Sequence, residues 1–144
     1  MPYLNTDDGF PDHPKVDNLS DGAFRLHVSG MHYCARKTSD GLIPKRRVSR
    51  LKPEYKSSQL DELVKGGLWH KGGDGCDTED CPVGSVGEYV VHDYLQWNKP
   101  KVWWDERRNA ESERKADYRR RRAEEKQRLA ELEDLHMRRG PRLA

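Results

Sequence analysis

The sequence predicts a mostly α-helical fold with a small β-hairpin and a long charged C-terminal helix, and three observations carry that reading. Lys45-Arg-Arg-Val-Ser-Arg-Leu-Lys52 and Ser58-Gln-Leu-Asp-Glu-Leu-Val-Lys-Gly-Gly-Leu-Trp69 read as two short helices separated by a turn and closed by a double glycine. Leu68-Trp-His70 and Glu88-Tyr-Val-Val-His92 read as the arms of a hairpin whose loop spans residues 71 to 87. From Asp105 to Arg139 there is no Pro or Gly, which predicts a helix of about 35 residues and about 52 Å. Two helices, a turn and then a hairpin make a winged helix-turn-helix, an architecture whose commonest ligand is nucleic acid.

The elements follow in order. Asp7-Asp-Gly-Phe-Pro-Asp-His-Pro14 is turn chemistry, and Lys15 to Leu19 has room for one helical turn. Ser20 or Asp21 then caps a longer helix with Phe24, Val28, Met31 and Ala35 on one stripe and Ala23, His27 and Cys34 alongside. Asp40-Gly41 ends the connection to Leu42-Ile43-Pro44, a short strand whose Pro fits an edge. Lys45 to Leu51 forms the next helix and Pro53 stops it. Ser58 with Asp61 resembles a capping box for the second helix, which buries Leu60, Leu63 and Val64. Gly66-Gly67 supplies a left-handed exit.

Composition bounds the rest. A chain of 144 residues with 33% hydrophobic and 36% charged residues holds one small core and a solvated remainder. We divide it into residues 1–98, the winged helix-turn-helix, and residues 99–144, a charged helical tail. No run of about 18 apolar residues exists for a membrane span, and Met-Pro-Tyr-Leu-Asn-Thr-Asp-Asp lacks the regions of a signal peptide, so a cytoplasmic protein without membrane association is expected. The net charge of +2 is segregated: residues 1–98 hold 12 Lys+Arg against 15 Asp+Glu, and residues 99–144 hold 15 against 10. Lys45 to Lys56 alone holds six basic residues and one acid, a local basic patch on an acidic domain that points to a polyanion.

Several ordered segments resemble a known family: Asp7-Asp-Gly-Phe-Pro with His13-Pro-Lys-Val, Leu19-Ser-Asp-Gly-Ala-Phe-Arg-Leu-His27, Asp40-Gly-Leu-Ile-Pro44, Leu63-Val-Lys-Gly-Gly-Leu-Trp69 and Tyr89-Val-Val-His-Asp-Tyr-Leu-Gln-Trp-Asn98. Together they are similar to the winged-helix domain of actinobacterial phage and prophage proteins described as replication-initiator or replisome-organiser like. The resemblance covers roughly residues 3 to 98. It implies a DNA-binding protein of a phage or mobile element, acting in replication or transcriptional control in the cytoplasm of its host cell. In longer relatives a separate C-terminal part carries the distinguishing role, and here a short charged tail stands in its place.

On that frame, Lys45, Arg46, Arg47, Arg50 and Lys52 are placed to contact backbone phosphates. Ser58 and the helix start can hold a phosphate, Gln59 can read adenine, and Lys65 lies on the outward face with Glu62. The hairpin carries a second constellation, His70-x5-Cys76-x4-Cys81-x10-His92. Two thiols and two imidazoles suit one structural zinc, which would order a polar loop that has no core of its own. Free thiols and a Cys76–Cys81 disulfide remain the alternatives, and an odd cysteine count excludes a full disulfide framework. Cys34 reads as a buried small hydrophobe.

The tail offers Arg119, Arg120, Arg121 and Arg122 to nucleic acid, and Trp103, Trp104, Leu129, Leu132 and Leu135 to a protein partner or a second copy in a homodimer. Glu111 with Lys115 and Glu124 with Arg128 are spaced to support the helix without a core. No catalytic constellation is recognisable: His27 and His32 share a helix with Cys34 but lack partners, and no phosphate-binding loop ends in Lys-Ser or Lys-Thr. A non-enzymatic role is therefore expected. Beside DNA binding stands a second function, a module that docks onto a host replication or transcription factor through its winged helix and charged helix.

Overall fold

The structure is a computed structural model that describes residues 2–140. It is mostly helical, with a three-stranded antiparallel sheet and a long C-terminal helix. The chain divides into two compact units, one ending at Trp104 and one beginning at Asp105.

In the first unit a short 3-10 turn, Phe10–Asp12, leads into α1 (Pro14–Asp17) and then α2 (Asp21–Lys37). Ser20 Oγ accepts from Ala23 N at 3.3 Å, as a hydroxyl cap should, and Thr38 ends the helix in the left-handed region at φ 47°. The buried face of α2 comprises Ala23, Leu26, His27, Gly30, Met31, Cys34 and Ala35. This corrects the expected stripe, since Phe24 and Val28 are only half-buried. Gly30 is the reason: a Cβ there would sit 2.5 Å from Trp69 Cζ2, so the helix lays its narrowest position against the largest core side chain.

The sheet has the order β1-β3-β2, from β1 (Leu42–Pro44), β2 (Trp69–Lys71) and β3 (Glu88–Val91). Ile43 pairs with Tyr89 and His70 with Val90. Pro44 lies on an edge strand, where its missing N–H costs no ladder bond. Between β1 and β2 the chain makes a 3-10 turn (Lys45–Arg47), α3 (Val48–Leu51) and α4 (Ser57–Lys65). Gly67 at φ 71° closes α4, with Leu68 N bonded to Leu63 O at 3.0 Å and Gly67 N to Val64 O at 3.2 Å, the paired bonds of a Schellman ending. Trp69, Leu26, Ile43, Leu63, Val48, Val91 and Cys34 are the fully buried centre.

After β3 a short helix, α5 (Tyr94–Trp97), returns the chain to the N-terminal segment. Asn5 N donates to Asn98 Oδ1 at 2.8 Å, and Asn98 Nδ2 donates to Asn5 O and Tyr94 O. The expected tail helix begins earlier than Asp105: α6 runs Lys101–Arg139, 39 residues and about 58 Å. Its first N–H is taken by a residue distant in sequence, Asp40 Oδ1, 2.7 Å from Lys101 N. Tyr3 meets Trp104 edge-on at 5.4 Å, and Trp104 meets Trp103 at 4.7 Å. No described residue of α6 is buried. Among the described residues no helix is long and apolar enough to cross a membrane.

Candidate metal centre and basic surface

Four side chains converge where the hairpin begins and ends. His70 sits in the middle of β2 between buried Trp69 and exposed Lys71. His92 follows β3 and continues the pairing, its N–H donating to Leu68 O at 2.9 Å. Strand pairing thus brings the two imidazoles together, with Nε2 of His70 2.6 Å from Nδ1 of His92. The loop between them folds back on itself, with Gly72 N bonded to Glu88 O, Gly73 N to Gly84 O and Cys81 N to Thr78 O. A Cβ on Gly72 would fall 1.8 Å from Ser85 O, so the loop crosses itself where only glycine fits.

That crossing returns both cysteines to the imidazoles. Cys76 Sγ lies 3.5 Å and Cys81 Sγ 3.6 Å from His92 Nδ1, and the four donor atoms all fall within 4.8 Å of one another. His92 Nε2 meets Asp93 Oδ2 at 3.0 Å. The carboxylate therefore holds the ring proton on Nε2 and leaves Nδ1 as a lone-pair donor aimed at the cluster, the outer-sphere arrangement common to metal-bound imidazoles. Pairing with Asp93 and ligation are thus compatible roles for one ring. Asp93 was legible as a neighbour of His92, but its part in orienting the ring was not.

The electrostatics of the cluster are uneven. Backbone and side-chain hydrogen bonds from Thr78 hold the Cys76 thiol below its ordinary range. Burial pushes the Cys81 thiol up to about 11, and burial also lowers His92. All three cysteines are free, so both sulfurs of the cluster are available as donors. Cys34 stands apart in the core, its thiol pushed up to about 12 by burial. Two sulfur and two nitrogen donors in one cluster could hold a metal ion in a closed, structural site.

The basic segment lies on the surface. Lys45, Arg46 and Arg50 are exposed, Arg47 and Lys52 are half-buried, and Val48 anchors the segment in the core. Among the described residues none of the five cations forms an ion pair.

The following helix departs from expectation at its start. Lys56, not Ser58, is the N-cap of α4, and its N–H donates to Gln59 Oε1 at 3.1 Å. Gln59 is half-buried, with its amide over Gly22, where a Cβ would lie 2.0 Å from Nε2. That contact withdraws Gln59 from the outward face assigned to it. Glu62 is also occupied, its carboxylate accepting Ser20 N at 2.9 Å and Ser20 Oγ at 2.8 Å. The exposed face of α4 is left with Ser57, Ser58, Asp61 and Lys65.

In the second unit Arg119, Arg120, Arg121 and Arg122 are all exposed; Arg120 pairs with Asp117 at 2.7 Å and Arg122 donates to Tyr118 Oη at 3.2 Å. Lys115 pairs with Glu111 at 2.7 Å as its spacing requires, but Glu124 and Arg128 do not pair. Leu129, Leu132 and Leu135 are each about half exposed, at 51%, 47% and 53%. Comparison of the chain with protein-family models, curated proteins and solved structures finds no match.

Proposed function

We propose that the chain is a DNA-binding winged-helix protein of the phage or mobile-element type that its segments resemble, acting in replication or transcriptional control in the cytoplasm of a host cell. The observation that carries this reading is the unneutralised ridge of Lys45, Arg46 and Arg50, flanked by Arg47 and Lys52, at the entrance to α4. The sheet order β1-β3-β2, with α3 and α4 between β1 and β2, supports the winged helix-turn-helix assignment. With Gln59 and Glu62 both engaged, the ridge supplies phosphate contacts and α4 offers only Ser57, Ser58 and Lys65 for more. Binding is therefore affinity without strong base readout. Replacing Arg46, Arg47 and Arg50 by Ala should weaken binding on every duplex tested and flatten its salt dependence by about 2.7 in log–log slope. Unchanged affinity would remove the ridge from the interface.

The hairpin is proposed to be ordered by one structural zinc held by His70, Cys76, Cys81 and His92. A tetrahedral ion with bonds of about 2.05 Å to nitrogen and about 2.3 Å to sulfur has N···S edges of about 3.6 Å. The observed 3.5 and 3.6 Å fit that edge; the two imidazoles would open from 2.6 Å to about 3.3 Å, and donors now as far as 4.8 Å apart would close around the ion. Metal analysis of protein purified without added metal should return about one zinc per chain; metal-free protein with an unaltered melting curve would sink the site.

A second reading, the docking module for a host replication or transcription protein, is favoured by the hairpin loop itself. It carries Asp74, Asp77, Glu79 and Asp80, all exposed, and presents Val83 and Val86 at 87% and 91% exposure. An acidic loop with apolar tips suits a protein better than a phosphate backbone. Capture of a host protein that survives nuclease and is lost in Val83→Ser with Val86→Ser would establish this reading.

A further inference from the structure

The second unit contains a repeat that the four-arginine run conceals. Basic residues recur every seven positions as pairs, Arg107-Arg108, Arg114-Lys115 and Arg121-Arg122, and Arg128 opens a fourth. Seven residues fall about 20° from two whole turns, so on α6 these seven cations form one gently winding stripe, with rungs about 10.5 Å apart. Only Glu111 and Glu125 lie between the rungs, and Glu111 is taken by Lys115. Glu106, Glu113, Asp117, Glu124 and Glu131 form an adjoining acidic row, within i,i+3 and i,i+4 reach of Arg114, Arg121 and Arg128. A basic and an acidic row thus run side by side along the helix. Arg120 falls on the far side of the helix and Arg119 only borders the stripe, so the Arg119–Arg122 run is not the functional unit.

The cation chosen throughout the second unit, on the stripe and beside it, points to the ligand. Residues 105–139 contain ten Arg and two Lys, whereas residues 1–104 contain five Arg and nine Lys. A solvated helix is served equally by either residue, while the guanidinium fork specifically matches phosphate oxygens. Arg114, Arg121 and Arg128 make no ion pair among the described residues, although carboxylates lie within helical reach of each. Tyr118, which accepts from Arg122, lies between two rungs and Leu129 occupies the second position of the fourth, but these two separated side chains do not form the clustered apolar anchor that dominates protein interfaces.

We infer that this stripe is a second nucleic-acid contact, a ladder of guanidinium groups lying along the phosphate backbone of duplex DNA. It is separate from the ridge at Lys45–Lys52 and stands whether or not that ridge binds.

The test uses the full chain, a labelled mixed-sequence duplex of about 30 base pairs, and fluorescence anisotropy across a salt series. One variant carries Arg107→Gln, Arg114→Gln, Arg121→Gln and Arg128→Gln. A control of matched size, Arg120→Gln with Arg138→Gln on the far side of the helix, is compared with the two-charge stripe variant Arg114→Gln with Arg121→Gln. Gln, Lys and Arg have similar helix propensity, so circular dichroism should show α6 retained in all three. The four-charge stripe variant should weaken binding by at least about tenfold and lower the log–log salt slope by about 3.6, at about 0.9 per phosphate contact, with the control close to the parent. Replacing the same four stripe arginines by Lys, which keeps charge and loses the fork, should give an intermediate loss. Equal losses in the two-charge stripe variant and the control, or none in either, would overturn the ladder. So would a salt-sensitive dimer, seen by sedimentation without DNA and abolished in the stripe variant, because the stripe would then meet the acidic face of a second copy. A duplex still bound by the Arg46, Arg47, Arg50 triple variant but not by the stripe variant would separate this site from the ridge.

Discussion

His27 should make this protein acid-sensitive by an amount that can be isolated. The ring is buried on α2 beneath Phe10, whose ring stacks on it at 5.8 Å, and its Nδ1 accepts a hydrogen bond from Trp69 Nε1 at 3.0 Å. An indole N–H can only donate, so the His27 proton resides on Nε2 and the ring must be neutral. Protonating Nδ1 would break the bond and bury a charge, and burial accordingly lowers the pKa from 6.5 to about 4. Between those values the unfolded chain takes up a proton and the folded chain does not. The contribution is therefore complete above pH 6.5, declines as pH falls through 6.5, and stops changing below about 4. From pH 7.5 to 5.0 the loss is about 2 kcal/mol. Urea unfolding followed by tryptophan fluorescence at both pH values measures it, with His27→Asn as reference. Asn keeps an acceptor near Trp69 and does not titrate. Carboxylates and the metal ligands contribute to both chains and cancel in the comparison. The variant should start less stable at pH 7.5, because a smaller side chain leaves a void, yet lose about 2 kcal/mol less on acidification. Equal losses in the two proteins would refute the argument.

Three further outcomes follow from the geometry. Gly30→Ala should destabilise by about 1–3 kcal/mol in thermal melts although Ala is the better helix former, because its Cβ would overlap the Trp69 ring; a gain in stability would show that the helix can withdraw. Glu62→Ala should cost about 0.5–1.5 kcal/mol by freeing Ser20 N and Oγ, measurable by urea unfolding, and a change under 0.2 kcal/mol would mean water replaces the carboxylate. Cys81→Ser, or a chelator added to the parent, should lower the melting temperature and speed proteolysis within residues 72–87 with little effect on cleavage elsewhere, and digestion patterns that do not change would count against a bound metal.

The sequence made the local features readable and left the distant contacts hidden. The cap at Ser20, offered beside Asp21, and the glycine exit at Gly66-Gly67 depend on neighbours along the chain and were legible; the edge strand ending in Pro44 and the His-Cys-Cys-His set were legible as patterns, although strand pairing across tens of residues assembles them. The start of α4 was misplaced at Ser58: Gln59 reaches back to Lys56 N, and only the close approach of α2 at Gly22 explains why its amide stays there. Hydrophobic periodicity put Phe24 and Val28 on the α2 stripe and left out Leu26 and Gly30, because apolar residues lie on more than one side of this helix and the choice between them rests on Trp69, far along the chain, packing against Gly30. The start of α6 depended on Asp40, 61 residues away from Lys101. No periodicity reports such a partner. The basic repeat was present in the sequence throughout, masked because counting consecutive arginines conceals what recurs at every seventh position.

The clasp between Asn5 and Asn98 has a topological meaning beyond its hydrogen bonds. With the backbone at residue 5 tied to a side chain at residue 98, the first unit is nearly a closed ring whose start and finish occupy one spot. A short linker could seal that ring, and new ends could be opened at the exposed Pro53-Glu54 turn without severing a strand or a metal donor. The same closure governs how the unit meets force. Tension applied between its two ends parts the Tyr3–Trp104 contact and the Asp40–Lys101 bond and then loads the paired amides, and only after these yield does it reach the β-sheet and the imidazoles beyond it.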